Sequence, residues 1–182
     1  MRHNFQTEQW LPYSGERLFA FFANPANLPP LMPGWQRARV EQVKLVSPPE
    51  SPRSSPPVVG AAATPAAPGF AAGAGSLITI SFRPIPLLPL RLKWDAYIVE
   101  FRWNDFFCDE QRRGPFRYFH HCHRVREEIR EGAAGAVVND VLEYELPLGP
   151  LGDVANMLGV KRQIRALFAH RQRMLPVLLA PS

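Results

Sequence analysis

The sequence predicts an α+β fold: a curved antiparallel sheet of about six to seven strands wrapped around one long C-terminal helix, with one or two short helices after the first strand. Two observations carry this. Strand-patterned segments broken by hairpin turns run almost without interruption from 76 to 146, and the last thirty or so residues form one amphipathic stretch at helical spacing. A single helix laid across a curved sheet covers its concave face and leaves room for a cavity between them.

Residues 4–11 read as the first strand, with Phe5 and Trp10 among polar neighbours and Pro12 ending it. Ser14 is a good N-cap for a helix over 17–23, where Leu18, Phe19 and Phe22 share a face, and Asn24-Pro25 stops it. Pro25, Pro29, Pro30 and Pro33 then leave room for a short helix at 26–28 and otherwise a tight corner. A strand follows over 35–46. Between 47 and 75 the composition turns to Pro, Ala, Ser and Gly with one aromatic, Phe70, which reads as an inserted loop, mobile or loosely draped.

The β pattern resumes over 76–83 and, after a Pro-punctuated turn at 84–89, over 90–103. Strands at 104–111 and 116–128 are joined at Arg113-Gly114-Pro115, and a turn at 131–135 leads into a strand over 136–146. The terminal helix enters through Gly149-Pro150 and reaches about Leu179. Its expected buried stripe is Leu151, Val154, Ala155, Leu158, Ile164, Leu167, Phe168, Leu175 and Leu178. Gly159 implies close packing or a bend, and Pro176 weakens the last turn.

Composition excludes several classes. A chain of 182 residues that is 46% hydrophobic and 20% charged makes one domain, 1–182, able to build a core without staples. No apolar run is long enough for a transmembrane segment, and the N-terminus lacks a secretion-signal pattern, so a cytoplasmic location is expected. Cys108 and Cys122 lack a CxxC motif and are expected to be reduced thiols on the outer face of one hairpin. The net charge of +5 is spread along the chain, without a nucleic-acid-reading motif, so nucleic acid is not an expected partner.

Alternation places Phe107, Asp109 and Gln111 on one face, with Phe119, His121, His123 and Val125 on the next strand and Val138, Asp140, Leu142 and Tyr144 on the one after. The opposite set, Tyr118, His120, Cys122, Arg124 and Arg126, reads as the outer face. A concave face bearing Asp109, Gln111, His121, His123, Asp140 and Tyr144 is polar for a lipid slot.

The residues resemble the START-like polyketide cyclase and ligand-binding superfamily, SRPBCC. The likeness rests on Phe107-Cys108-Asp109-Glu110-Gln111, Arg113-Gly114-Pro115 and Phe119-His120-His121-Cys122-His123, continuing through Asp140 to Pro147 and Leu167 to Arg171. It is nearest to bacterial members, although Phe119 stands where they more often carry Trp and the 47–75 insert is unusually long. The resemblance implies the helix-grip fold and a cavity for a hydrophobic or amphipathic ligand, whether lipid, quinone or polyketide-like. Some members are cyclases or dehydratases.

Three readings of the concave cluster stand side by side. Its members pair with one another, for example His121 with Asp140, because buried polar groups need partners. Alternatively Trp94, Phe107, Asp109, Gln111, Phe119, His121, His123, Asp140, Leu142 and Tyr144 line a ligand site, in which polar groups fix a head and apolar ones an extended body. Or the site is chemical. His121 would then be a base oriented by Asp140 with Tyr144 or His123 as donor, or His121, His123 and Asp140 would hold a metal. No cofactor is called for, and the chain is expected to be a monomer or homodimer whose partner is a hydrophobic small molecule.

Overall fold

The computed structural model describes residues 1–49, 71–86 and 89–180. Seven strands form one antiparallel sheet in the spatial order β1-β7-β6-β5-β4-β3-β2. They are β1 His3–Leu11, β2 Arg39–Lys44, β3 Leu77–Phe82, β4 Leu92–Arg102, β5 Phe106–Arg113, β6 Tyr118–Arg130 and β7 Ala133–Glu145. Consecutive strands from β2 to β7 are simple antiparallel neighbours. The first strand instead crosses over to pair with the last, from His3 opposite Tyr144 to Leu11 opposite Ala136.

Ser14 caps helix α1, Gly15–Ala23, by accepting a bond from the Arg17 amide, and Leu18 and Phe19 are fully buried beneath it. Glu127 on β6 reaches across to accept from the Gly15 amide at 2.6 Å, which ties the helix start to the sheet. The proline-rich corner becomes three single 3₁₀ turns, Pro25–Asn27, Pro29–Leu31 and Gly34–Gln36. Because Arg37 then takes a left-handed conformation with φ 47°, β2 begins only at Arg39, later than the pattern of residue 35 onward suggested.

The body of the 47–75 insert lies outside the described residues, but its two ends are built into the fold. Val46 and Ser76 exchange backbone and hydroxyl bonds, the Ala72 amide donates to the Ala23 carbonyl at 2.9 Å, and the Trp103 indole N–H donates to Pro49 at 2.6 Å. Ala72 is part of the core.

The C-terminal helix has three parts: α2 Pro150–Ala155, one π-helical turn at Asn156–Val160, and α3 Lys161–Leu179. The wide turn changes which face points inward. Ile164, Phe168, Arg171, Leu175 and Leu179 are the buried stripe of α3, whereas Leu151, Val154 and Leu158, expected to continue it, are exposed. A side chain at Gly159 would meet open space, so that glycine marks the irregular turn and not a close contact; the close contact is at Gly152, against Pro147 and Leu146. Among the described residues no helix is long and apolar enough to cross a membrane.

Cys108 and Cys122 stand opposite each other on β5 and β6, with Cα atoms 4.1 Å apart, and are joined as a disulfide. This corrects the expectation of reduced thiols: alternation placed both on the outer face of one hairpin, and the register of β5 with β6 sets them directly opposite each other, within bonding reach.

Candidate functional site

A cavity of about 460 Å³ lies between the concave side of the sheet, α1 with its 3₁₀ turns, and α3. Its wall is mostly hydrocarbon and aromatic: Phe22, Ile78, Trp94, Ile98, Phe119 and Leu142 all face it. The Trp94 and Phe119 rings meet edge-on with centroids 4.5 Å apart, and Phe107 lies against the His123 ring at 4.6 Å. At the other end the lining turns polar, with Asp109 from β5, His121 and His123 from β6, and Arg171 from α3. A chamber with an apolar body and a few convergent polar groups is the ordinary build of a small-molecule site.

Strand register assembles the polar end. Asp109 stands opposite His121, and His123 opposite Asp140, so three adjacent strands deliver four ionisable groups to one patch. Everything converges on Asp140. Its Oδ1 lies 2.7 Å from His123 Nδ1, 3.2 Å from His121 Nε2 and 3.0 Å from the Arg171 guanidinium. Asp140 has no wall of the cavity itself; it sits behind, as the anchor for the groups that do. Arg171 also lies over the Phe22 ring at 4.4 Å, so its apolar face is covered as well.

These contacts set the imidazole tautomers: an ionised carboxylate only accepts, so His121 donates to it through Nε2–H and His123, only 2.7 Å away, through Nδ1–H, in competition with the Arg171 guanidinium, which also only donates and approaches the same nitrogen at 3.2 Å. The remaining nitrogens, His123 Nε2 and His121 Nδ1, carry lone pairs, and both face Asp109 Oδ1, at 3.9 and 3.8 Å. Those gaps are too long for direct hydrogen bonds and leave space for an atom between them.

Charge is distributed unevenly over the two carboxyls. Burial works against the charge of each. At Asp140 that effect is overcome by Arg171, then His123 and the imidazole hydrogen bonds, which hold the carboxyl well below the usual range. Asp109 has no such close donor, and burial pushes it up. His123 is pushed down to about 3, first by burial and then by neighbouring His121, which keeps it a neutral ring.

The other expected residues separate into two groups. Trp94, Phe107, Phe119, His121, His123, Asp109 and Leu142 all line the cavity. Gln111 does not: its side-chain amide donates to the Phe116 carbonyl at 2.7 Å and accepts from the Phe116 amide at 3.2 Å, clamping the turn between β5 and β6. A side chain at Gly114 would collide with it. Tyr144 is buried, and its hydroxyl donates to Asn156 Oδ1 at 2.8 Å, joining β7 to the π-helical turn. Sequence reasoning missed Arg171 and Asn156 as members of this network. Arg171 left a signal, being the one cation in the stripe formed by Ile164, Phe168, Leu175 and Leu179.

No protein-family model matches the chain, and no curated protein does. Solved structures do. The protein TTHA0849 from Thermus thermophilus superposes with a TM-score of 0.59 at 14% identity, over 98% of this chain and 100% of that one. Norcoclaurine synthase from Thalictrum flavum gives 0.57 at 14% identity, covering 97% and 87% of the two chains. The protein Ara h 8.0201 gives 0.54 at 13% identity, over 97% and 99%. At such identities the likeness speaks of architecture, and the architecture it establishes is the helix-grip fold.

Proposed function

We propose that the protein binds a hydrophobic or amphipathic small molecule, such as a lipid, quinone or polyketide-like compound, between the sheet and α3. The observation that carries this is the cavity of about 460 Å³, apolar over most of its wall and closed at one end by Asp109, His121, His123 and Arg171. The apolar part supplies binding free energy on the order of 25 cal/mol per Å² of ligand surface removed from water, and the polar end supplies orientation.

The electrostatics of that end narrow the head group. Asp140 and Arg171 form a buried ion pair whose charges cancel, and burial favours the uncharged forms of Asp109 and His123. A carboxylate or ammonium head would enter without a free counter-charge, at a cost of several kcal/mol. A carbonyl or hydroxyl fits better, because it needs no counter-charge and can hydrogen-bond to the polar groups gathered there. Quinone and polyketide-like ligands therefore suit the site better than fatty acids.

Acid–base chemistry on such a ligand is a second reading, favoured by the opposite displacement of the two carboxyls. In this geometry Asp109 is the group placed to move a proton, His121 lies beside it, and Asp140 orients both rings. Native mass spectrometry of the purified protein, before and after denaturation, tests the binding reading together with added menadione and palmitate. An organic adduct released on unfolding, or a 1:1 menadione complex stronger than that with palmitate, supports it. Failure of every hydrophobic probe to bind a folded protein would overturn it.

A further inference from the structure

His121 and His123 each donate one ring N–H to Asp140 and turn the other nitrogen, as a lone pair, toward Asp109. The two free nitrogens converge on one carboxyl oxygen, 3.8 and 3.9 Å away, at distances too long for direct hydrogen bonds. In a metal site it is the expected build: ligating histidines hand their second N–H to a carboxylate, which fixes the tautomer and raises the basicity of the free nitrogen.

We propose that Asp109, His121 and His123 bind one divalent transition cation at the polar end of the cavity, with Asp140 as the residue that positions both imidazoles. Their donor atoms lie within 4.8 Å of one another. Metal–nitrogen and metal–oxygen bonds of about 2.0 to 2.2 Å at a tetrahedral angle need donors roughly 3.4 Å apart, so Asp109 and each imidazole nitrogen, now 3.8 and 3.9 Å apart, close in by about half an ångström. Two imidazoles and one carboxylate suit zinc or iron(II) and leave positions open toward the cavity. Sequence spacing pointed to Asp140 as the carboxylate ligand; the structure gives that place to Asp109, because Asp140 is already engaged by both ring N–H groups and by Arg171. Arg171 sits on the Nδ1 side of His123, away from Nε2, and neutralises Asp140, so it does not stand where the cation would. The cation would take the Asp109 oxygen and the imidazole lone pairs that the metal-free site offers a ligand, so the two readings are tested on separate forms of the protein.

The test is a titration of metal-free protein, disulfide intact, with Co²⁺ and Zn²⁺, read by native mass spectrometry and by the visible Co²⁺ spectrum. The disulfide matters because Cys108, Cys122 and His120 cluster on the outer face and would offer a competing set of donors if reduced. One cation per chain is expected, with binding lost in Asp109→Asn and His123→Ala, kept in His120→Ala, and weakened 10- to 100-fold in Asp140→Asn with the saturated Co²⁺ spectrum unchanged. Long-range ¹H–¹⁵N spectra of the unaltered protein cover the case of variants that do not fold: the cation should shift His121 Nδ1 and His123 Nε2 and leave His120 alone. No stoichiometric binding, binding that survives His123→Ala, or shifts confined to His120 would overturn the proposal. Menadione binding by the metal-free protein is scored separately, so either reading can fail alone.

Discussion

His123 and Asp140, on neighbouring strands β6 and β7, meet at 2.7 Å with both side chains nearly sealed from solvent, and the Arg171 guanidinium closes on the same carboxylate oxygen from α3. The contact ties the sheet to the helix that covers it. It also decides which groups the cavity sees, because each imidazole hydrogen spent on Asp140 leaves that ring's other nitrogen as a lone pair toward Asp109.

Arg171 should matter for stability more than any surface cation. Arg171→Met leaves Asp140 buried without its counter-charge and is expected to cost about 3 to 5 kcal/mol in urea denaturation. Adding Asp140→Asn removes the stranded charge and should restore much of the loss. A single variant as stable as the parent would show that the pair is not desolvated as described.

Stability of the metal-free protein should fall as the solution is acidified. His123 titrates at about 3 when folded and near 6.5 when unfolded, so between those values the unfolded chain takes a proton that the native state refuses. The stability present at neutral pH is thus lost as pH drops from about 6.5 toward 3, by about 1.4 kcal/mol per pH unit for one proton. Asp140, held low in the fold, adds loss in the same direction below its unfolded value of 3.8, while Asp109, pushed up, partly opposes it. Denaturation midpoints measured from pH 7 to 4 should decline, and less steeply in His123→Gln. A flat or rising profile would contradict this.

Tyr144→Phe removes the donor to Asn156 and leaves a buried amide oxygen unpaired in the π-helical turn. The expected cost is about 1 to 3 kcal/mol, with hydrogen exchange accelerated around Asn156 before the rest of α3. Uniform exchange rates across the helix would mean that the bond does not hold the turn.

Reduction of the Cys108–Cys122 bond should lower the melting temperature. The bridge spans a sequence separation of 14, for which the loss of chain entropy amounts to about 3 kcal/mol, or roughly 6 to 12 °C in a chain of this size. Calorimetry with and without a phosphine reductant measures it. An unchanged transition, or two thiols that titrate without reductant, would contradict the bond.

Much of this arrangement was legible in the chain. Period-two alternation put Asp109, His121, His123 and Leu142 on the concave face because a strand offers only two faces and the apolar residues mark the inner one. Alternation says which face, not which partner: it could not tell that Gln111 turns back onto Phe116 or that Tyr144 reaches Asn156. The terminal helix was harder. A fixed helical period carried Leu151, Val154 and Leu158 into the core, and one π-helical turn rotated them out. Arg171 was passed over for a related reason, since a cation inside an apolar stripe declares itself only when its carboxylate on another element is known.

The central claim is that the chamber between sheet and α3 holds a ligand whose uncharged polar end meets Asp109, His121 and His123. The most direct measurement is a titration with menadione followed by methyl and histidine-ring NMR. Saturable 1:1 shifts at Ile98, Leu142 and both concave imidazoles, with the outer His120 unmoved, are the predicted result. Saturation that leaves those residues unmoved, or no saturation by any hydrophobic probe at its solubility limit, would contradict the account.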